Sequence, residues 1–204
     1  MALRGLIRNG VWTMNLAESQ GGKSHEAALF FRAWLKAPLR IAALLPSSAT
    51  TGRVMAGLVP PGDGLAVLEL GAGTGAIGQG LLSSGIEVTR LIMVEREPPL
   101  VDHLRARFPG VRVLCADATA LAGHDLPKLA AVVSTLPIVW FSPAEQEAVV
   151  AAAFARLAPG APFLQLTNQP ASPLPAARLG LRAERAAMVW RNLPPSFIWR
   201  YWVD

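Results

Sequence analysis

The segment Leu68-Glu69-Leu70-Gly71-Ala72-Gly73-Thr74-Gly75-Ala76-Ile77-Gly78 joins a buried apolar run to a turn packed with glycines. Glycine lets a backbone turn sharply and lets a ligand approach where a Cβ would block it. Gly73 to Gly78 matches the pattern GxGxxG, and Glu95 follows about 20 residues on, as a dinucleotide site requires. That spacing alone does not separate a nicotinamide site from one for an adenosyl cofactor.

Outward from this turn the chain alternates regularly. Ala66–Leu70 reads as the first strand, and a helix runs from the glycines to about Ser84. Arg90–Glu95 is a second strand, with a helix over Pro98–Phe108, and Val111–Ala116 is a third. Ala130–Thr135 is a fourth, followed by a helix over Pro143–Leu157, and Pro162–Thr167 is a fifth. Leu181–Trp190 and Phe197–Val203 complete seven strands and are expected to pair antiparallel. Strands joined by helical crossovers imply a doubly wound α/β domain with a mostly parallel sheet. Its ligand belongs beyond the carboxyl ends of the early strands.

Three acids occupy those ends. Glu69 closes the first strand, where an ionised carboxylate facing the turn repels a pyrophosphate but suits a sulfonium and an ammonium. Glu95 ends the second strand and is placed to accept both ribose hydroxyls. Asp117 follows the third and is placed to take an adenine amino group. Singly, each acid would serve equally well as a helix cap. Together they point to S-adenosylmethionine (SAM).

The chain has 204 residues, 52% hydrophobic and 16% charged, which suits one domain with a sizeable core and excludes global disorder. No apolar run is long enough to span a bilayer, at about 18 residues or more. The single Cys115 excludes an intrachain disulfide and a multi-cysteine zinc site, and no ligand cluster at metal spacing appears. The net charge of +5 resides entirely in residues 1–53, where Arg4, Arg8, Lys23, Arg32, Lys36, Arg40 and Arg53 face only Glu18 and Glu26. Such an extension suits a phosphate-bearing partner, whether RNA, DNA or an anionic membrane. In Met1–Ala17, Leu3, Leu6, Ile7, Gly10, Val11 and Met14 recur at helical spacing with Arg4 and Arg8 largely off that stripe. This is the pattern of an interfacial membrane helix. Asn15–Ser24 reads as a link and Ser24–Ala37 as a helix. A further helix is expected over Ser48–Gly57, and the turn cluster Val59–Gly64 then leads into the α/β core. The expected division is a membrane-binding helix and linker (1–23), a helical cap (24–58) and the α/β domain (59–204).

Over Leu65–Val203 the sequence resembles the class I SAM-dependent methyltransferases. That resemblance implies a Rossmann-like domain in which Glu69, Gly71, Gly73 and Gly75 form the first cofactor motif. Glu95 with Arg96 would hold the ribose, Asp117 with Ala118 the adenine, and Ser134 would lie beside the reacting centre. Ser134-Thr135-Leu136-Pro137 lacks the Asn/Asp-Pro-Pro-Tyr/Phe tetrad common in nucleobase amino-methyltransferases. Carbonyls around Ser134 to Leu136, with Trp140 and Phe141 as an aromatic wall, suit an alkyl ammonium instead.

Phe31–Pro38, Ile41–Ser48, Ser134–Pro137 and Asn192–Tyr201 resemble the bacterial phospholipid N-methyltransferases related to ribosomal-RNA adenine dimethylases. The resemblance implies successive methylation of the phosphatidylethanolamine head-group amine towards phosphatidylcholine, by a cytoplasmic protein bound peripherally to the inner face of the membrane. Ser47 and Ser48 become candidates for the methionine end of the cofactor. His25 and Tyr201 are candidates for the base, and Arg40 and Arg200 for the lipid phosphate. An RNA adenine methyltransferase and a non-enzymatic membrane-binding module are the competing expectations.

Overall fold

The computed structural model describes residues 48–61, 64–190 and 195–203. The expected elements before residue 48, with His25, Arg40 and Ser47, lie outside the described residues, as do Asn192, Leu193 and Pro194.

The sheet has seven strands: β1 (Ala66–Leu70), β2 (Leu91–Glu95), β3 (Arg112–Cys115), β4 (Leu129–Ser134), β5 (Phe163–Thr167), β6 (Arg182–Val189) and β7 (Ser196–Trp202). Their order is β3-β2-β1-β4-β5-β7-β6. β1 to β5 run parallel, and β7 is antiparallel to both β5 and β6. Each strand matches its expected position to within one or two residues, and the last two pair as anticipated. The helices are α1 (Ser48–Ala56), α2 (Ala76–Ser83), α3 (Pro98–Arg107) and α4 (Pro143–Phe154). None of the described helices is long and apolar enough to cross a membrane.

Burial on both sheet faces explains why the central strands read as continuous apolar runs. Leu68, Leu70, Ile92, Val94 and Val132 pack on one side with Val149 and Ala153 of α4. Val67, Met93, Ala131 and Val133 face the other, against Met55 of α1, Ile77 and Leu81 of α2 and Leu104 of α3. Since β1 has β2 on one side and β4 on the other, the strand order reverses there. The crevice at this switch point lies above Leu70, at the carboxyl ends of the strands.

α1 and α2 touch backbone to backbone. A Cβ at Gly80 would stand 2.5 Å from the Ala49 carbonyl oxygen and 2.6 Å from Gly52 Cα. Backbone cannot swing aside as a side chain can, so Gly80→Ala forces the helices apart. We expect a loss of about 1–3 kcal/mol, typical of overpacking, in urea unfolding. An unchanged midpoint would contradict this packing.

Candidate active site

The turn between β1 and α2 is built on left-handed backbone. Gly73 and Gly75 have φ of 56° and 80°, which side-chain-bearing residues rarely adopt. Gly75 also caps α2 where a Cβ would strike Phe108 and Leu104 of the α3 side. Gly73 differs, since a Cβ there would meet nothing nearer than the Gly71 carbonyl at 3.9 Å. Open space therefore lies over the turn at Gly73. The turn is pinned by the amides of Gly71 and Ala72, which donate to the Val94 carbonyl, and by Arg107, which donates to the Thr74 carbonyl at 2.8 Å.

Glu95 closes one side of this space. Its Oε2 accepts from the Gly73 amide at 2.9 Å, and its Oε1 accepts from the amides of Arg96 (2.8 Å) and Glu97 (3.0 Å). A nucleotide pyrophosphate would look to such turn amides for its donors. Here the Gly73 donor already serves a carboxylate, which favours a cofactor without phosphate at this turn.

Glu69 requires a correction. It does not stand ionised towards the ligand space, because its carboxyl is fully buried on the α2 side of the sheet. Oε1 accepts from the Gly78 amide at 3.2 Å, and Oε2 has no partner. Burial pushes its pKa up to about 8, with the Glu95 charge adding to the rise and the Gly78 hydrogen bond opposing it. At neutral pH the group is therefore mostly protonated. It braces the start of α2 from beneath, and the discrimination against diphosphate passes to Glu95.

At the end of β3, partial burial raises the Asp117 carboxyl, but Thr119 and Arg96 outweigh it and hold the group below the usual carboxylate range. Oδ1 accepts from both the amide and the hydroxyl of Thr119 (2.9 and 2.7 Å), and Oδ2 lies 3.7 Å from Arg96 Nη1. The Asp117 side chain thus caps the 3-10 turn Ala118–Gly123 and keeps one oxygen towards Arg96. Ala118 is buried beneath that turn. Ser48 opens α1, whose first turn meets α2 at Gly80.

A second space of about 350 Å³ opens at the ends of β4 and β5, lined by Thr135, Leu136, Trp140, Gln165, Asn168 and Gln169 among others. None of the described residues lining it is charged. Ser134 is fully buried, and its Oγ accepts from the Leu136 amide at 3.4 Å; it shapes the turn from below. The Thr135 hydroxyl donates to the Gly71 carbonyl at 2.8 Å and so couples this cleft to the glycine turn. Trp140, 60% exposed, stands in the cleft wall. Gln165 and Thr135 were not anticipated as site residues. A glutamine inside the apolar strand Phe163-Leu164-Gln165-Leu166-Thr167, in register with Ser134, is the signal that marks the first.

Two expected residues fall at the wrong end of the sheet. Because β7 is antiparallel, Tyr201 pairs with Phe163 and Arg200 with Leu164, at the start of β5, whereas the cleft lies at its finish. Tyr201 is wholly buried, 2.7 Å from the Ser172 hydroxyl, and burial raises its pKa against that hydrogen bond. It is a core residue, not a base. Arg200 lies 3.4 Å from Glu184 and over the Trp202 ring, so it is engaged on the outer strands and away from the mouth.

A methyltransferase-domain family model matches residues 67–160. An ornithine lipid N-methyltransferase from Singulisphaera acidiphila is 32% identical over 149 residues, covering 70% of this chain and 78% of that protein. Among solved structures, TrmN from Thermus thermophilus superposes with a TM-score of 0.63 at 19% identity, over 78% of this chain and 51% of that one. The chain thus spans about half the length of that protein. The glycopeptide N-methyltransferase MtfA complexed with SAM gives 0.61 at 16% identity, over 77% and 94% of the two chains. A TehB-like SAM-dependent methyltransferase from Corynebacterium glutamicum gives 0.58 at 17%, over 89% and 98%. The structural likenesses bear on the fold.

The buried Glu69 has a measurable signature. Its folded pKa stands above the unfolded value of 4.5, so its share of stability is complete below that value and is lost as pH rises through about 8. The loss amounts to roughly 5 kcal/mol at most, at about 1.4 kcal/mol per unit. The melting temperature of the wild type should fall between pH 5 and 9, and Glu69→Gln should flatten that slope. Parallel slopes for the two proteins would contradict the assignment.

Proposed function

The chain belongs to the class I SAM-dependent methyltransferases, and from that premise we propose that it methylates the primary amine of a membrane-lipid head group. Its methyl donor is SAM. Glu95 would accept from a ribose hydroxyl on the Oε2 lone pair that the Gly73 amide leaves, Asp117 would take the adenine amine through its Arg96-facing oxygen, and the open face of the glycine turn the methionine end. The bound cofactor supplies an electrophilic methyl: the amine lone pair forms the C–N bond, the C–S electrons return to sulfur, and the surplus proton passes to water.

The cleft beside the glycine turn, uncharged among the described residues, carries the reading. Its wall includes the exposed Trp140, whose aromatic ring attracts a positively charged nitrogen. A growing ammonium is served by such a surface, and a nucleobase tetrad is lacking at Ser134–Pro137. Alignment of amine and methyl supplies much of the acceleration in a displacement of this kind. The chain's part is therefore to hold the amine against these walls.

The nature of the acceptor rests on further support. Phosphatidylethanolamine is the substrate we assign, with successive methylation towards phosphatidylcholine. The similar ornithine lipid N-methyltransferase favours a lipid amine and makes ornithine lipid the second acceptor to test. Residues 1–23, basic and amphipathic, would hold the protein to the cytoplasmic face of an anionic membrane, and Arg40 would meet the phosphate. Trp140 and Trp190, 60% and 72% exposed, add aromatic anchors at the cleft end of the sheet. Trp190 belongs to that end because it follows Val189, whose strand partner Ser196 bonds Asn168 of the cleft at 2.8 Å.

Incubation of the full chain with methyl-labelled SAM and vesicles of phosphatidylethanolamine in anionic lipid should yield labelled mono-, di- and trimethylated products. Vesicle binding should weaken with salt and on Leu6→Asp or Ile7→Asp. Label in added RNA, or none in lipid from protein that binds SAM, would overturn the proposal.

A further inference from the structure

We infer that Gln165 is the positioning residue of the acceptor subsite, fixing the span between the two walls of the cleft and the direction of the Leu136 carbonyl. This rests on the reading of that cleft as the amine site.

Leu70, Ser134, Gln165 and Trp199 form one row across β1, β4, β5 and β7, just below the carboxyl edge of the parallel strands. Within that row, the Gln165 side chain reaches across to the turn after β4. Its Nε2 donates to the Leu136 carbonyl at 2.9 Å and to the Leu166 carbonyl at 2.8 Å. Both N–H bonds are thereby spent on carbonyls, which fixes which end of the amide is which. The Leu136 carbonyl also accepts from the Ile138 amide at 2.8 Å, so both its lone pairs are taken and the turn after β4 is locked against β5.

The chain keeps this amide at a cost. Gln165 is fully buried and its Oε1 has no partner; on the next strand the Trp199 indole N–H is buried and unpartnered as well. A buried acceptor left unpaired destabilises the fold, and an apolar side chain of the same size would avoid that. The amide therefore contributes a bridge between β4 and β5 at the acceptor site rather than cohesion of the core. Stability and turnover should respond to its removal in opposite directions.

The test compares Gln165→Met, which keeps the volume, with Gln165→Asn, which keeps the amide but falls one methylene short of the bridge. Each is supplied with labelled SAM and, separately, with phosphatidylethanolamine vesicles, ornithine-lipid vesicles and total RNA. The acceptor that the wild type labels reports on the proposed function; the ratio of variant to wild type on that acceptor reports on Gln165. Both variants should bind SAM within about twofold of wild type, and Gln165→Met should melt no lower. Methyl transfer should fall by roughly 10²-fold in kcat, the scale of a 1 Å misplacement. The products should also shift towards fewer methyl groups. Turnover within twofold of wild type would overturn the inference. So would turnover, SAM affinity and melting temperature all falling together, since that is the behaviour of a plain structural brace. Label in none of the three acceptors would overturn both this inference and the lipid reading.

Discussion

The carboxylate of Glu95 holds the turn on which the site is built. A loop with successive left-handed glycines has few side chains of its own to fix it, and an amide aimed at solvent is free to reorient. By taking the Gly73 amide on one oxygen and the amides of Arg96 and Glu97 on the other, Glu95 ties the end of β2 to the turn after β1. The same bonds occupy a donor that a phosphate would seek. The arrangement favours a neutral or cationic ligand over an anionic one.

A second tie runs from that turn to the cleft at the ends of β4 and β5. The Thr135 hydroxyl reaches the Gly71 carbonyl and so ties the turn after β1 to the turn after β4. Gln165 then joins the turn after β4 to β5. The space over the glycine turn and the cleft beside it are thus linked through hydrogen bonds across three neighbouring strands. This coupling suits a reaction whose rate depends on alignment more than on acid–base chemistry.

The strands and the crossover helices were legible because burial on both faces leaves continuous apolar runs, and because glycines and prolines punctuate them. Glu95 and Asp117 were legible as strand-end acids. The protonation of Glu69 was not, because it depends on which sheet face the side chain takes and how completely α2 covers it. Glu69 lies two residues on from Val67 and so shares its sheet face, the one that α2 covers; only the closeness of α2 decides that its charge is lost. Tyr201 and Arg200 misled for a different reason. Their placement follows from the antiparallel register of β7 on β5, which sends the last residues of the strand to the far end of the sheet. Gln165 was overlooked because a single polar residue in an apolar strand gives no spacing to recognise; its meaning comes from the Leu136 carbonyl across the cleft.

Calorimetric titration of the purified full chain with SAM and with NAD, repeated on Glu95→Gln, tests the role of that carboxylate most directly. Saturable binding of SAM by the wild type, no heat from NAD, and an affinity lower by about tenfold or more in the variant is the result this account requires, given that hydrogen bonds to charged groups contribute about 1.5–3 kcal/mol. Binding of NAD in place of SAM, or undiminished SAM affinity without the carboxylate, would contradict it.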